Sequence, residues 1–277
     1  MVEAKMLRLF VGLVLFLLPA LARSAEAAPV CTLMVNATSG AVLVEEGDCR
    51  SEVTPASTFK VALAVMGFDA GVLQDAHHPV MAYREGDPDW GGAAWKQDTD
   101  PERWIRYSVV WYSQRLTHIL GAARLTRYGE AFGYGNADFS GDPGYDNGLD
   151  RAWIASSLKI SPYQQAAFLR GLVLGTLPAS DEAMAKTRSL LEQNIVDGWV
   201  LRGKTGAAYP RRADRSFDYD HGWGWYVGWA ERGEDTLVFV TLTQTEQRGK
   251  QSPGIRTREA LLEQWPALSR RALNAPR

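Results

Sequence analysis

The 277-residue chain has little cysteine, no excess of one charge and no internal repeat or low-complexity linker. Its 30 Lys and Arg residues nearly balance 32 Asp and Glu residues, which gives a net charge of -2. No basic run is interleaved with aromatic residues, so nucleic-acid binding has no electrostatic support. Two cysteines cannot supply a four-cysteine zinc site, and we predict no metal site.

Apolar residues, in contrast, are plentiful. They make up 46% of the chain, with 10 Trp, 10 Tyr and 9 Phe residues. This is enough material for a packed core, and it argues against disorder or a coiled coil. The length suits one large domain or two small ones.

A long hydrophobic run occurs only at the N-terminus. Lys5 and Arg8 precede an apolar stretch over residues 9–18, and Ala25-Glu26-Ala27 matches the small-x-small rule for cleavage. We expect residues 1–27 to be a signal peptide, with an uncleaved anchor as the alternative. Residues 28–277 should then form the exported domain, without a stable membrane anchor.

Both cysteines lie in that domain. Cys31 and Cys49 flank "TLMVNATSGAVLVEEGD", which predicts a strand, a turn and a second strand. A hairpin brings its two ends together, and an exported compartment permits a disulfide. We predict a Cys31–Cys49 bridge, with two free thiols as the alternative.

The remaining pattern predicts an α+β fold. An antiparallel sheet is flanked by helices, with a mostly helical subdomain on one side. Residues 57–70 are predicted to be a helix, and residues 75–200 to be mostly helical with Gly-, Pro- and Asp-rich interruptions. The runs "GWGWYVGWAER" and "DTLVFVTLTQT" suit neighbouring antiparallel strands, and "GIRTREALLEQWPALSRRAL" an amphipathic helix.

The candidate chemistry begins at "STFK". Ser57 and Lys60 are three residues apart, so they share one helix face with Cβ atoms about 5–6 Å apart. A hydroxyl in the first helical turn also lies beside free backbone N–H groups that can stabilise an oxyanion. The pattern is common by chance, however, and "SSLK" at 156–159 also matches it.

A second motif makes "STFK" the better candidate. Lys204-Thr205-Gly206 follows it far downstream, before two strand-like runs. Ser-x-x-Lys near the start with Lys-Thr-Gly near the end is typical of penicillin-recognising serine enzymes. Ser-Asp-Asn, which many of them carry between these motifs, is absent.

In its place stand Ser108-Val109-Val110, Tyr134-Gly135-Asn136 and "WIASSLKIS" at 153–161. With "STFK" and Lys-Thr-Gly, this ordered set resembles the class D β-lactamases of the OXA type. The likeness covers essentially all of residues 28–277, and it explains "SSLK" as part of the loop that follows Trp153.

The resemblance implies catalytic roles. Ser57 is the expected nucleophile, and Lys60 is expected to carry a CO2-derived carbamate that acts as the general base. Trp153 would donate a hydrogen bond to that carbamate. Ser108 would relay a proton to the leaving nitrogen, biased by Lys204. No other cofactor is expected.

Further residues are expected to contact the substrate. The backbone N–H groups of Ser57 and Ala207 would form the oxyanion hole. An arginine should bind the substrate carboxylate, and Arg256 matches the motif, with Arg258 as the alternative. The other expected binding residues are Thr205, Gly206, Val109, Leu158, Tyr134 and Asn136.

The function implied is hydrolysis of β-lactam antibiotics, and hence resistance to them. A β-lactam sensor domain and a cell-wall D,D-peptidase are the alternatives. Small-molecule β-lactams are the only expected partners, and nothing in the sequence indicates an oligomeric state. A cleavable signal without a lipidation cysteine favours the periplasm, although a Gram-positive secreted enzyme would look similar.

Overall fold

A computed structural model of the protein describes residues 28–275. The predicted signal peptide, residues 1–27, lies outside the described residues. Within residues 28–275, no helix combines the length and the apolar character needed to cross a membrane.

Six antiparallel strands form one sheet in the described chain, in the order β2-β1-β6-β5-β4-β3. This confirms the predicted α+β class with an antiparallel sheet. The first two strands form the predicted hairpin, and its turn occupies the "NATSG" segment. The strands are β1 Ala28–Asn36, β2 Val42–Gly47, β3 Glu192–Val196, β4 Trp199–Ala208, β5 Trp223–Arg232 and β6 Asp235–Gln244.

Helices cover both faces of the sheet. The described part of the chain forms α1 Phe59–Asp69, α2 Pro101–Tyr107, α3 Val110–Leu120, α4 Ala122–Ala131, α5 Gly148–Arg151, α6 Pro162–Leu174, α7 Asp181–Leu190 and α8 Pro253–Leu273. Helices α2 to α7 lie between strands β2 and β3 in the chain. The prediction of mostly helical structure over 75–200 is wrong at both ends. Residues 75–92 form turns and loops, and β3 begins at Glu192.

The central strands separate two hydrophobic cores. Trp225, Val227 and Trp229 of β5 pack into the larger core with α1 and the helical subdomain. Tyr226 and Phe239 face the smaller core beneath α8. Because β5 and β6 are covered on both faces, their sequences are continuously apolar rather than alternating.

Helix α1 lies inside the larger core. Every residue from Phe59 to Phe68 is buried, including Lys60. A helix that is apolar around its whole circumference is expected in such a position. The same burial carries the amine of Lys60 out of contact with water.

The disulfide prediction is confirmed. Cys31 of β1 and Cys49, just beyond β2, are bridged, with Cα atoms 5.0 Å apart. The bridge closes the open end of the hairpin.

Candidate active site

Ser57 lies in a short 3-10 turn, Ala56–Thr58, that leads directly into α1. The turn is held because the Thr58 hydroxyl donates to the Pro55 carbonyl at 2.7 Å. Ala56 takes a left-handed conformation with φ of +52°, which is unusual for a residue with a side chain. Lys60 Nζ lies 3.3 Å from Ser57 Oγ, so the predicted serine and lysine are in contact.

Lys60 is fully buried, with 0% of its surface exposed. Burial lowers its pKa well below the usual lysine value, and the positive charge of Lys204 adds to the shift. Within residues 28–275, no carboxylate forms an ion pair with it. A lysine in this setting favours the neutral amine, which can accept a proton from Ser57.

Ser108 and Lys204 form the second polar pair. Ser108 ends α2 in a left-handed conformation with φ of +56°, which turns its hydroxyl towards β4. Lys204 Nζ donates to Ser108 Oγ at 2.6 Å and to the Thr205 carbonyl at 3.0 Å. Burial lowers the pKa of Lys204 to about 7, opposed by nearby Glu192 and reinforced by Arg258. Lys204 therefore exchanges its proton near neutral pH.

Strand β4 brings these groups to Ser57. Lys204 and Gly206 are two residues apart, so they face the same side of the sheet. At Gly206 an added Cβ would lie 2.9 Å from the Pro55 carbonyl oxygen, so only glycine permits this approach. Strand β3 begins opposite Gly203, and the β4 edge beyond that residue borders a cavity.

Trp153 covers the same region from the loop that follows α5. It is 1% exposed, and its indole Nε1 is buried without a hydrogen-bond partner in the described chain. Thr54 anchors this loop, because its hydroxyl donates to the Trp153 carbonyl at 2.9 Å and accepts from the Ala155 N–H at 3.0 Å. The nucleophile segment and the Trp153 loop are thus joined through one threonine.

Most of the predicted site residues line one cavity of about 580 Å³. A volume of this size suits a small-molecule ligand. The predicted residues that line it are Ser57, Ser108, Trp153, Lys204, Thr205, Gly206 and Ala207.

Five predicted substrate-contact residues, Arg256 among them, do not lie on this cavity wall. Val109 and Leu158 are fully buried in the larger core. Tyr134 is also buried, with its ring packed against Phe59 and Phe168 at centroid distances of 5.8 and 5.1 Å. The structure therefore gives these side chains a packing role behind the site.

Asn136 is the fourth of these residues. Its amide nitrogen donates to the Ser157 carbonyl at 2.9 Å, and its amide oxygen accepts from the Lys159 N–H at 3.0 Å. It braces the loop that carries Trp153. In the same loop, the "SSLK" serine, Ser156, donates to Asp142 rather than to a lysine.

The structure separates the two candidate arginines. Arg258 lines the cavity, and its Nη1 lies 3.2 Å from Glu192 Oε2. Arg256 is not among the lining residues. Its Nε is buried without a hydrogen-bond partner in the described chain, and its guanidinium lies next to Gly249. Carboxylate binding by Arg256 stays a prediction, and the geometry gives Arg258 the more direct access.

Sequence reasoning missed three contributors to the site. Thr54 and Glu192 belong to no motif, and only the fold brings Thr54 to the Trp153 loop and Glu192 to the cavity wall. Trp90 lies at the cavity wall and is 65% exposed. Its loop has a polar sequence like that of an ordinary connection between elements. Its ring packs on Trp95 at 5.3 Å. Only its large exposed apolar surface could have drawn attention to it.

We find no cluster of metal-ligating side chains in the part of the chain that the structure describes. Residues 28–275 contain no group of three His, Cys, Asp or Glu side chains arranged to hold a metal ion.

Comparison with known proteins identifies the family. Residues 30–264 match the family described as the penicillin binding protein transpeptidase domain. The chain is 38% identical over 240 residues to β-lactamase OXA-9 of Klebsiella pneumoniae, covering 86% of this chain and 87% of that protein. It is 34% identical over 215 residues to β-lactamase OXA-1 of Escherichia coli, covering 76% and 74%.

A solved structure agrees with these relatives. The crystal structure of the OXA-427 class D β-lactamase superposes with a TM-score of 0.82 and 45% identity, covering 88% of this chain and all of that one. The motif resemblance is thereby confirmed. The chain belongs to the class D β-lactamases, within the penicillin-binding transpeptidase family.

Proposed function

We propose that this protein hydrolyses β-lactam antibiotics through an acyl-enzyme on Ser57 and so confers resistance to them. One observation carries the proposal. The Ser57 hydroxyl lies on the wall of a cavity, 3.3 Å from the amine of a fully buried lysine. A neutral amine at this distance can accept the proton that a serine must lose to attack a carbonyl.

The neighbouring residues supply the rest of acylation. Ser57 Oγ attacks the lactam carbonyl, and the backbone N–H groups of Ser57 and Ala207 stabilise the oxygen that becomes negative. The lactam C–N bond then breaks, and the nitrogen takes a proton from Ser108. Lys204, which donates to Ser108 at 2.6 Å, replaces that proton.

The pocket around Lys60 fits the carboxylated lysine that the family resemblance implies. The Trp153 Nε1–H is buried without an acceptor, and the amine of Lys60 is buried without a carboxylate partner in the described chain. A carboxyl group on Lys60 Nζ would supply an anionic oxygen base for proton transfer from Ser57 and from a hydrolytic water. Trp153 would hold it through the indole N–H.

The proposal includes export. Residues 1–27 would direct the chain to the periplasm and be removed there. N-terminal sequencing of the protein from a periplasmic extract should begin near Ala28. An intact residue 1 in that fraction would contradict cleavage.

Turnover of nitrocefin by purified protein tests the activity itself. Continuous turnover is expected, whereas one equivalent hydrolysed per protein would indicate a sensor domain. Ser57→Ala should abolish turnover while the protein stays folded, because one hydroxyl at a helix start contributes about 1 kcal/mol.

Mass spectrometry after exposure to penicillin tests the nucleophile. Wild type should gain one penicillin adduct, and Ser57→Ala none. Ser156→Ala removes the serine of the second Ser-x-x-Lys match and serves as the control, because it should retain the adduct. An adduct on Ser57→Ala would disprove the assignment.

A further inference from the structure

One ion pair lies on the cavity wall and transfers no proton in the proposed reaction. Glu192 is the first residue of β3, and Arg258 lies in the second turn of α8. Glu192 Oε2 and Arg258 Nη1 are 3.2 Å apart. Both residues line the cavity together with Lys204 and Thr205.

The position of the Arg258 guanidinium depends on its contact with Glu192. Its Nε is buried without an acceptor, and Glu192 is its only ion-pair partner among residues 28–275. The neighbouring Tyr226 hydroxyl accepts from Asn194 at 3.3 Å, and among residues 28–275 the Arg258 guanidinium donates a hydrogen bond only to Glu192. The position of the guanidinium is therefore set by one carboxylate.

The pair also sets the charge of this end of the cavity. Arg258 is a cation, Lys204 is a second cation when it is protonated, and Glu192 is the anion that offsets them. A β-lactam carboxylate that approaches Thr205 would be attracted by the cations and repelled by Glu192. It would compete with Glu192 for the same guanidinium.

We propose that Glu192 is a specificity-determining residue, which holds Arg258 against β3 and thereby limits the affinity of the cavity for the substrate carboxylate. The inference rests on the proposed function. Glu192 acts through Arg258 and touches no reacting atom, so it is a positioning residue.

Glu192→Gln tests this idea, because it removes the negative charge and keeps the shape. With benzylpenicillin, KM should fall by about two- to five-fold, the range expected for a partly exposed ion pair. With the methyl ester of benzylpenicillin, which has no carboxylate, KM should not change. High salt should reduce the effect on benzylpenicillin.

Two further variants make the test specific. In an Arg258→Gln background, Glu192→Gln should have no additional effect on KM, because the group through which it acts is gone. Glu259→Gln makes the same charge change one residue along α8, on an exposed side chain, and should leave KM at the wild-type value.

The proposal is wrong if KM for benzylpenicillin does not fall in Glu192→Gln, or if it falls equally for the methyl ester. It is also wrong if the effect persists without Arg258. Continuous turnover by the wild-type protein establishes the proposed function separately, so either conclusion can fail alone.

Discussion

At the scale of single residues, the site depends on where two lysines are placed. Lys60 follows the nucleophile on a helix that is buried on all sides, and Lys204 is buried on β4 at the cavity wall. Lys60 Nζ lies 3.3 Å from Ser57 Oγ, and Lys204 Nζ lies 2.6 Å from Ser108 Oγ. Burial lowers the pKa of Lys60 well below the usual lysine value and that of Lys204 to about 7, which favours proton transfer by both amines.

Carboxylation of Lys60 predicts that activity depends on CO2. Degassed acidic buffer should slow nitrocefin turnover, and added bicarbonate should restore it. Acid protonates the carbamate and the amine that it releases, and an ammonium group cannot react with CO2. Labelled CO2 should also give a carbamate signal on Lys60 in the NMR spectrum, which reports binding without catalysis.

Two variants control this prediction. Trp153→Ala removes the indole N–H and should raise the bicarbonate concentration needed for a given rate. It should also slow deacylation more than acylation. Lys159→Ala, at the other Ser-x-x-Lys match, should leave the bicarbonate response unchanged. If neither rate nor NMR signal responds to CO2, Lys60 acts as a plain amine.

At the scale of elements, an ion-pair network joins the segment between β4 and β5 to the region around α5. The segment between β4 and β5 contacts the loop before α5 through Asp142, which is 9% exposed. The Arg151, Arg211 and Arg215 guanidiniums lie 3.8, 3.6 and 3.5 Å from its carboxylate. The loop is exposed at Asp146, but its Asp142 carboxylate is buried.

Asp142→Asn should lower the free energy of unfolding by about 2 kcal/mol at pH 7, since it removes a charge-assisted network. Burial alone would raise the pKa of Asp142, but hydrogen bonds from Ser156 and Asn147 and the nearby arginines outweigh it and lower the pKa. The carboxylate therefore stabilises the fold above the unfolded pKa of about 3.9.

This stabilisation is lost as pH falls through the lower, folded-state pKa. The difference between wild type and Asp142→Asn, measured by urea unfolding, should thus shrink at acidic pH. Asp146→Asn removes an exposed carboxylate of the same loop and should leave stability unchanged. Equal losses in both variants would contradict a role for the buried network.

At the scale of the whole molecule, the site costs stability. The two cores hold the sheet between α8 and the helical subdomain, and the larger one encloses Lys60. Burying an amine that would be charged in water, without a carboxylate partner, is unfavourable, so apolar packing must offset this cost. Loss of function should therefore be separable from loss of folding.

Lys204→Met should abolish turnover and yet raise the free energy of unfolding at pH 7, on the order of 2–4 kcal/mol. The folded pKa of about 7 lies below the unfolded value of about 10.4, so the unfolded chain binds more protons between these pH values. The destabilisation caused by burying protonated Lys204 is fully present below pH 7 and disappears as pH rises to about 10.4.

Urea unfolding at pH 7 and at pH 10 measures this gain, which should be large at the lower pH and small at the higher one. Lys96→Met is the control, because Lys96 is exposed and paired with Asp89 at 2.7 Å. It should stabilise the protein at neither pH. A Lys204→Met protein less stable than wild type at pH 7 would show that the amine is well accommodated.

The sequence by itself determined the elements whose signals are local. Turn residues and cysteine spacing predict the hairpin and its disulfide, and apolar runs predict α1, β5 and β6. Each of these signals lies within the segment itself and requires no distant contact. The contact between Ser57 and Lys60 follows in the same way, because helical geometry brings residues three apart together. The ordered motifs added the identity of the remaining catalytic candidates.

Only the tertiary structure decided which side chains meet at the site and behind it. Glu192 and Arg258 are 66 residues apart in the chain, and Thr54 and Trp153 are 99 apart. Nothing in either local sequence predicts such a meeting. Val109, Leu158 and Tyr134 lie in or next to catalytic motifs in the sequence, but the fold orients their side chains into the core. Neighbours in the chain were placed by local geometry, but neighbours across the cavity were placed by the docking of β4, α8 and the Trp153 loop.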